Sequence, residues 1–144
     1  MDSIVEQVAQ CLVQAGSTFR EDQKEVYRRA IDKEPKTSSC WVMRQILDNA
    51  LVAEKNKSPL CDDTGIPHLF LEIGKSRQVT GEMLELIQEG VALGLRTLPG
   101  RPMAVMGDDY NRIDQSGGLD SDPGALVSSP ILITVSYTHL TLPT

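Results

Sequence analysis

Apolar residues recur along the first part of the chain at the spacing of a helix face. Val5, Val8 and Leu12 fall three and four apart across Ile4 to Ala15, and Gly16 offers an end to that segment. Val26, Tyr27, Ala30 and Ile31 mark a second stripe, with Ser17 or Thr18 as capping hydroxyl and Pro35 as the stop. A third follows the hydroxyls of Thr37-Ser38-Ser39. It carries Met43, Ile46, Leu47, Ala50 and Leu51, and Asn56-Lys57-Ser58-Pro59 closes it. Helices this short are marginal alone in water, so they need a shared surface to cover. The period changes from Ile66 to Ile73, where Leu69, Leu71 and Ile73 share one side and Phe70 takes the other. This segment reads as a strand belonging to that surface, ended by Gly74. Thr80 then caps a fourth helix, with Glu82 and Glu85 near its positive end and Leu84, Ile87, Val91 and Leu95 facing inward.

After Pro99-Gly100 the periodicity fades. Residues 107–130 are rich in Gly, Asp, Ser and Pro, with turns at Gly117-Gly118 and Asp122-Pro123-Gly124, and read as an ordered excursion. Ile131-Leu132-Ile133-Thr134 resembles the start of another strand. No repeat or low-complexity tract is present. The expected architecture is a mixed α/β (α+β) domain, mostly helical, with several amphipathic helices packed on a small sheet.

Composition narrows the function classes. A chain of 144 residues, 40% hydrophobic and 24% charged, suits one globular domain with a real core. A net charge of −6, with no Lys/Arg cluster longer than a pair, argues against nucleic acid or an anionic membrane as partner. No apolar run approaches the ~20 residues needed to span a bilayer. The segment Met1-Asp2-Ser3-Ile4-Val5-Glu6 lacks the basic and apolar regions of a signal peptide, so the expected compartment is the cytoplasm. Cys11, Cys40 and Cys61 are far apart and form no CxxC pair, which removes a local zinc site or redox dithiol. Cys11 and Cys40 fall in or beside helical patterns and read as small buried hydrophobes.

Chemistry concentrates at Cys61-Asp62-Asp63-Thr64-Gly65. A soft metal ligand stands there beside two carboxylates, a hydroxyl and a glycine, immediately before the strand. Taken alone, the run is also what an ordinary turn into a strand looks like, with Asx-type hydrogen bonds and a permissive glycine. His68 reads more simply as a half-buried packing residue than as a contact to a bound carboxylate. Trp41 and Tyr27 read as core or helix-surface aromatics.

The wider pattern adds to this. Gln45-Ile46-Leu47-Asp48-Asn49-Ala50, Pro59-Leu60-Cys61, Asp63-Thr64-Gly65, the strand, Val79-Thr80-Gly81 and Glu89-Gly90-Val91 occur in one order. Over roughly residues 20–106 the chain resembles the class I fumarases and L-tartrate dehydratases, the iron–sulfur hydro-lyases. The resemblance implies that Cys61 is one of three ligands to a [4Fe–4S] cluster. It implies that Asp63 contacts substrate and takes part in proton transfer, with Asp62 beside it in the substrate site. Arg101 aligns with an arginine that clamps a substrate carboxylate, a role its planar fork suits; a solvated loop arginine is the equal alternative. Malate/fumarate is the first expected substrate pair and tartrate/oxaloacetate the second. A β subunit or C-terminal domain, in a homodimer or α–β assembly, is the implied partner.

Two departures qualify that expectation. Asp62 stands where the family usually has Gln, placing extra negative charge near an anionic cluster and a dicarboxylate. Pro102-Met103-Ala104-Val105-Met106-Gly107-Asp108-Asp109 replaces the family's usual asparagine- and threonine-rich loop. Both leave the hydroxy acid open. Residues 135–144 back-translate to a transposon sequencing adapter read in one frame, and are expected to be a non-native tail. Residues 1–134 are then the N-terminal part of an incomplete α domain, inactive alone because two cluster cysteines are missing. The competing reading is a non-catalytic helical α/β binding or interaction module in which Cys61 is an inert thiol.

Overall fold

A computed structural model describes residues 3–61, 66–98, 120–126 and 129–135. Its elements in chain order are α1 (Ile4–Ser17), α2 (Glu21–Lys33), α3 (Thr37–Asn56), β1 (Phe70–Ile73), α4 (Gly81–Thr97), a 3-10 turn at Pro123–Ala125 and β2 (Leu132–Val135). The mixed, mostly helical class expected from the sequence is the one observed.

Local chemistry explains most helix ends. Ser3 and Glu6 form a reciprocal capping box on α1: the Glu6 amide donates to Ser3 Oγ at 3.2 Å, and the Ser3 amide donates to Glu6 Oε2 at 2.8 Å. Thr80 caps α4 as expected, its Oγ1 accepting from the Met83 amide at 3.2 Å. The expected hydroxyl caps of α2 and α3 are not used. Buried Ser17 donates its hydroxyl back to the Val13 carbonyl at 2.6 Å, so α1 runs on through it. The N-cap of α2 is instead Arg20, whose amide donates to Gln23 Oε1 at 3.0 Å. Lys36 caps α3 without a side-chain bond, and Thr37, Ser38 and Ser39 lie inside its first turn.

The helices cover one another. α1 packs along α4, α2 along α3, and α1 also touches α3. Ala9 and Val13 of α1 are buried with Ile87, Val91 and Leu98 of the α4 segment, while Ile31 is buried with Leu47, Ala50 and Ala53. Gly90 lets α1 and α4 approach closely: a Cβ there would sit 2.7 Å from Val8 Cβ and 2.8 Å from the Val5 carbonyl oxygen. Lys24 is buried to 7% exposure and stays charged. Its Nζ lies 2.6 Å from Glu54 of α3 and 3.4 Å from Glu21, and the Glu54 hydrogen bond holds the ammonium above its usual range. Phe19 and Tyr27 stack with centroids 5.7 Å apart.

The sheet differs from expectation in what it touches. β1 and β2 are parallel, pairing Phe70 with Leu132, Leu71 with Ile133, Glu72 with Thr134 and Ile73 with Val135. Among the described residues neither strand comes into close backbone contact with a helix, so the surface the helices share is their own. The strand is also shorter than the Ile66–Ile73 expected. Its alternation holds, with Leu71 and Ile73 half-buried and Phe70 exposed.

Candidate functional site

The approach to Cys61 is built from the ends of two helices, a side chain of α3 and a turn. α3 finishes at Lys57, which takes a left-handed conformation (φ 52°, ψ 42°), with the Ser58 amide donating to the Ala53 carbonyl at 3.0 Å. This closure turns the chain back along α3. Two bonds then pin Leu60. Its amide donates to the Gly16 carbonyl at 2.9 Å, near the end of α1, and its carbonyl accepts from Asn49 Nδ2 on α3 at 2.8 Å. Gly16 belongs to the last turn of α1, where carbonyls lack helical partners, so the Leu60 amide fills an orphan acceptor. Cys61 follows at a bend, with its side chain exposed.

A second anchor lies downstream. The Pro67 carbonyl accepts from both the Ser129 amide, at 3.2 Å, and the Ser129 hydroxyl, at 3.0 Å. The Leu132 amide donates to the Leu69 carbonyl at 3.0 Å and opens the β1–β2 ladder. The motif is therefore bracketed in sequence by a helix-anchored residue on one side and a strand-anchored residue on the other.

The excursion before β2 is tied to α4. Arg96 Nε and Nη2 donate to the Asp122 carboxylate at 2.9 and 2.7 Å, and Asp122 Oδ1 also accepts from the Gly124 amide at 2.8 Å. The Arg96 bond, then the Gly124 amide, hold the Asp122 carboxyl below its ordinary range.

Of the predicted site residues, Cys61 is described, while Asp62, Asp63 and Arg101 lie outside the described residues. Pro102 through Asp109 and the Gly117-Gly118 turn lie outside them too. The Asp122-Pro123-Gly124 turn is seen, as the 3-10 turn. Two other expectations need correction. Cys11 is exposed, because it lies off the α1 stripe formed by Ala9 and Val13; Cys40 is half-buried, its thiol pointing at the Ile31 carbonyl at 3.7 Å. His68 is exposed rather than half-buried, since it precedes the paired strand. Trp41 is 62% exposed and belongs to the helix surface. Among the described residues no group of three His, Cys, Asp or Glu could hold a metal ion. A cleft of about 470 Å³ between α1, the end of α3 and α4 is lined by Glu6, Gln10, Glu54 and Lys57 among others, and Cys61 is not part of it. Among the described residues no helix is long and apolar enough to cross a membrane.

Asn49 braces the approach to Cys61 through Leu60, a contact that sequence reasoning missed. Asn49 stood within the recognised helical run, but its partner Leu60 lies eleven residues on, beyond the reach of any helical spacing rule.

Comparison with known proteins places the chain in a family. Residues 5–136 match the family described as fumarate hydratase (Fumerase), and the chain belongs to it. A protein of Methanocaldococcus jannaschii with the provisional name L(+)-tartrate dehydratase subunit alpha is 35% identical over 116 residues. That stretch covers 79% of this chain and 41% of the relative, so the chain spans less than half of that relative's length.

Proposed function

We propose that the chain is the N-terminal part of the α portion of an iron–sulfur hydro-lyase that reversibly dehydrates a 2-hydroxy dicarboxylic acid. Family membership supports the reaction class, and the name of the Methanocaldococcus jannaschii relative supports a hydroxy-diacid substrate and a β partner. The single observation that carries the cofactor is the setting of Cys61: a thiol exposed at a bend whose preceding residue is pinned to two helices. An accessible, anchored soft donor fits one ligand position of a [4Fe–4S] cluster. The other two thiolates of the proposed cluster are absent from this sequence, whose remaining cysteines, Cys11 and Cys40, lie on α1 and α3.

When bound, the cluster supplies a Lewis-acidic iron that eases departure of the substrate hydroxyl. Cys61 holds it through its thiolate. Asp63 contacts the substrate and carries its proton or sustains the hydrogen-bond network around it, and Asp62 lines the same site. Arg101 clamps a substrate carboxylate through its paired N–H donors. Malate/fumarate is the first substrate pair and tartrate the second, in a cytoplasmic homodimer or α–β assembly. Residues 1–134 alone are inactive, and residues 135–144 are read as a non-native tail, although Val135 pairs with Ile73 in β2 and the family match runs to residue 136.

Two experiments test this reading. Recovering the gene across codon 134 should reveal a frame that continues into two further cysteines; Val135 to Thr144 followed by a stop codon would remove the fragment reading. Anaerobic full-length protein, with its β partner, should interconvert fumarate and malate or dehydrate tartrate. A reconstituted enzyme inert toward all three acids would overturn the substrate class.

A further inference from the structure

We infer that Asn49 is a positioning residue for Cys61: its side-chain amide fixes the peptide immediately before the thiol and so sets where the sulfur stands for cluster ligation. The inference rests on the proposed role of Cys61 as a ligand and names what holds it in place.

Leu60 is fixed from both sides of its backbone. The amide is held by Gly16 on α1 at 2.9 Å, and the carbonyl by Asn49 on α3 at 2.8 Å. The Leu60 carbonyl belongs to the peptide whose nitrogen is that of Cys61. A donor on that oxygen therefore restrains the rotation that would swing the Cys61 side chain to another direction. Lys57 reverses the chain beforehand, so the four residues from Lys57 to Leu60 form a short strap closed against α3 at both ends. Asn49 is exposed and makes this bond from the surface of a 20-residue helix, so the helix does not depend on it. A single neutral bond of this kind contributes only modestly to folding. Its effect on a ligand's placement is expected to exceed its effect on stability, because partners that orient ligands commonly alter metal affinity by about 10–100-fold.

The chemistry sets the variants. Asn49→Asp keeps the shape but replaces the donor with an acceptor facing a carbonyl. Asn49→Ala removes the group without adding charge, and Asn49→Gln restores an amide donor on a stem one methylene longer. Each is made in the unbroken polypeptide containing this sequence, reconstituted anaerobically with iron and sulfide, beside wild type and Cys61→Ala. Iron and sulfide content, the visible absorption and the thermal midpoint are read together.

The expected result is at least about tenfold weaker retention of iron in Asn49→Asp and Asn49→Ala, with a thermal midpoint of the apoprotein close to wild type. Asn49→Gln should recover part of the loss. Wild-type iron in both Asp and Ala variants, with none in Cys61→Ala, would overturn the role of Asn49 and leave Cys61 as a ligand. Equal losses in all three Asn49 variants, accompanied by a lowered midpoint, would replace positioning with a general folding role. Retention of the cluster in Cys61→Ala would remove the ligand reading itself, and the inference with it.

Discussion

Lys57 leaves α3 with φ 52° and ψ 42°, a conformation in which a side chain crowds the following carbonyl. Glycine adopts it without that conflict, at some cost from a freer unfolded chain. The strain exceeds the entropy cost, so Lys57→Gly should stabilise the fold by about 0.5–1 kcal/mol, seen as a higher urea midpoint. An unchanged or lower midpoint would show that the lysine side chain compensates. Asp122 supports a pH prediction. Its folded carboxyl titrates below the ordinary 3.8 because of Arg96 first and the Gly124 amide second. A depressed carboxyl contributes stability that is present above its unfolded value and lost as pH falls through the folded one. Glu21, beside Arg28, and Asp22, beside Arg20, act in the same direction. The protein should therefore lose stability below about pH 4, and Asp122→Asn should shallow that acid loss while costing stability at neutral pH. Some of this scale was readable beforehand. Thr80 was found because a hydroxyl precedes a clean apolar period, and Ser3-x-x-Glu6 carries an equally readable capping signal. Ser17 misled because its hydroxyl can also bond back to the carbonyl four residues earlier, and only burial decides between the two.

At the scale of elements, the α1–α4 seam depends on what is missing at Gly90. A methyl group there meets the Cβ of Val8 and the backbone oxygen of Val5, neither of which is the loose end of a side chain, so the helices must part. Overpacking of this kind costs about 1–3 kcal/mol, against about 1 kcal/mol gained in helix propensity. Gly90→Ala should lower the thermal midpoint, whereas Gly81→Ala, with nothing within 4 Å, should not. Equal responses would show that the seam adjusts freely. The sheet makes the opposite case. Phe70 is 75% and Leu132 54% exposed, and their register pairing sets them side by side. Phe70→Thr should change stability by no more than about 0.5 kcal/mol, and light scattering should show less self-association as the apolar patch shrinks. Helical periodicity was legible because each stripe is local. The partner of each stripe was not, since a helix facing another helix and a helix facing a sheet demand the same apolar pattern.

For the whole molecule, the motif around Cys61 was the most legible feature, and the match of residues 5–136 to the fumarate hydratase family bears out that resemblance. The helix-to-turn supports of the motif were not legible, because Asn49, Gly16 and Ser129 reach it through tertiary hydrogen bonds that no spacing announces. The roles proposed for Asp62, Asp63 and Arg101 rest on the resemblance alone, since these residues lie outside the described ones. The proposed function turns on Cys61 as a ligand to a cluster serving a hydro-lyase. The most direct measurement of that role is the visible absorption, with iron and sulfide content, of the anaerobically reconstituted full-length protein as wild type and as Cys61→Ala. Wild type should show a broad brown absorption that is lost in Cys61→Ala while the fold, by circular dichroism, persists. The same absorption in both proteins, or in neither, would contradict that role.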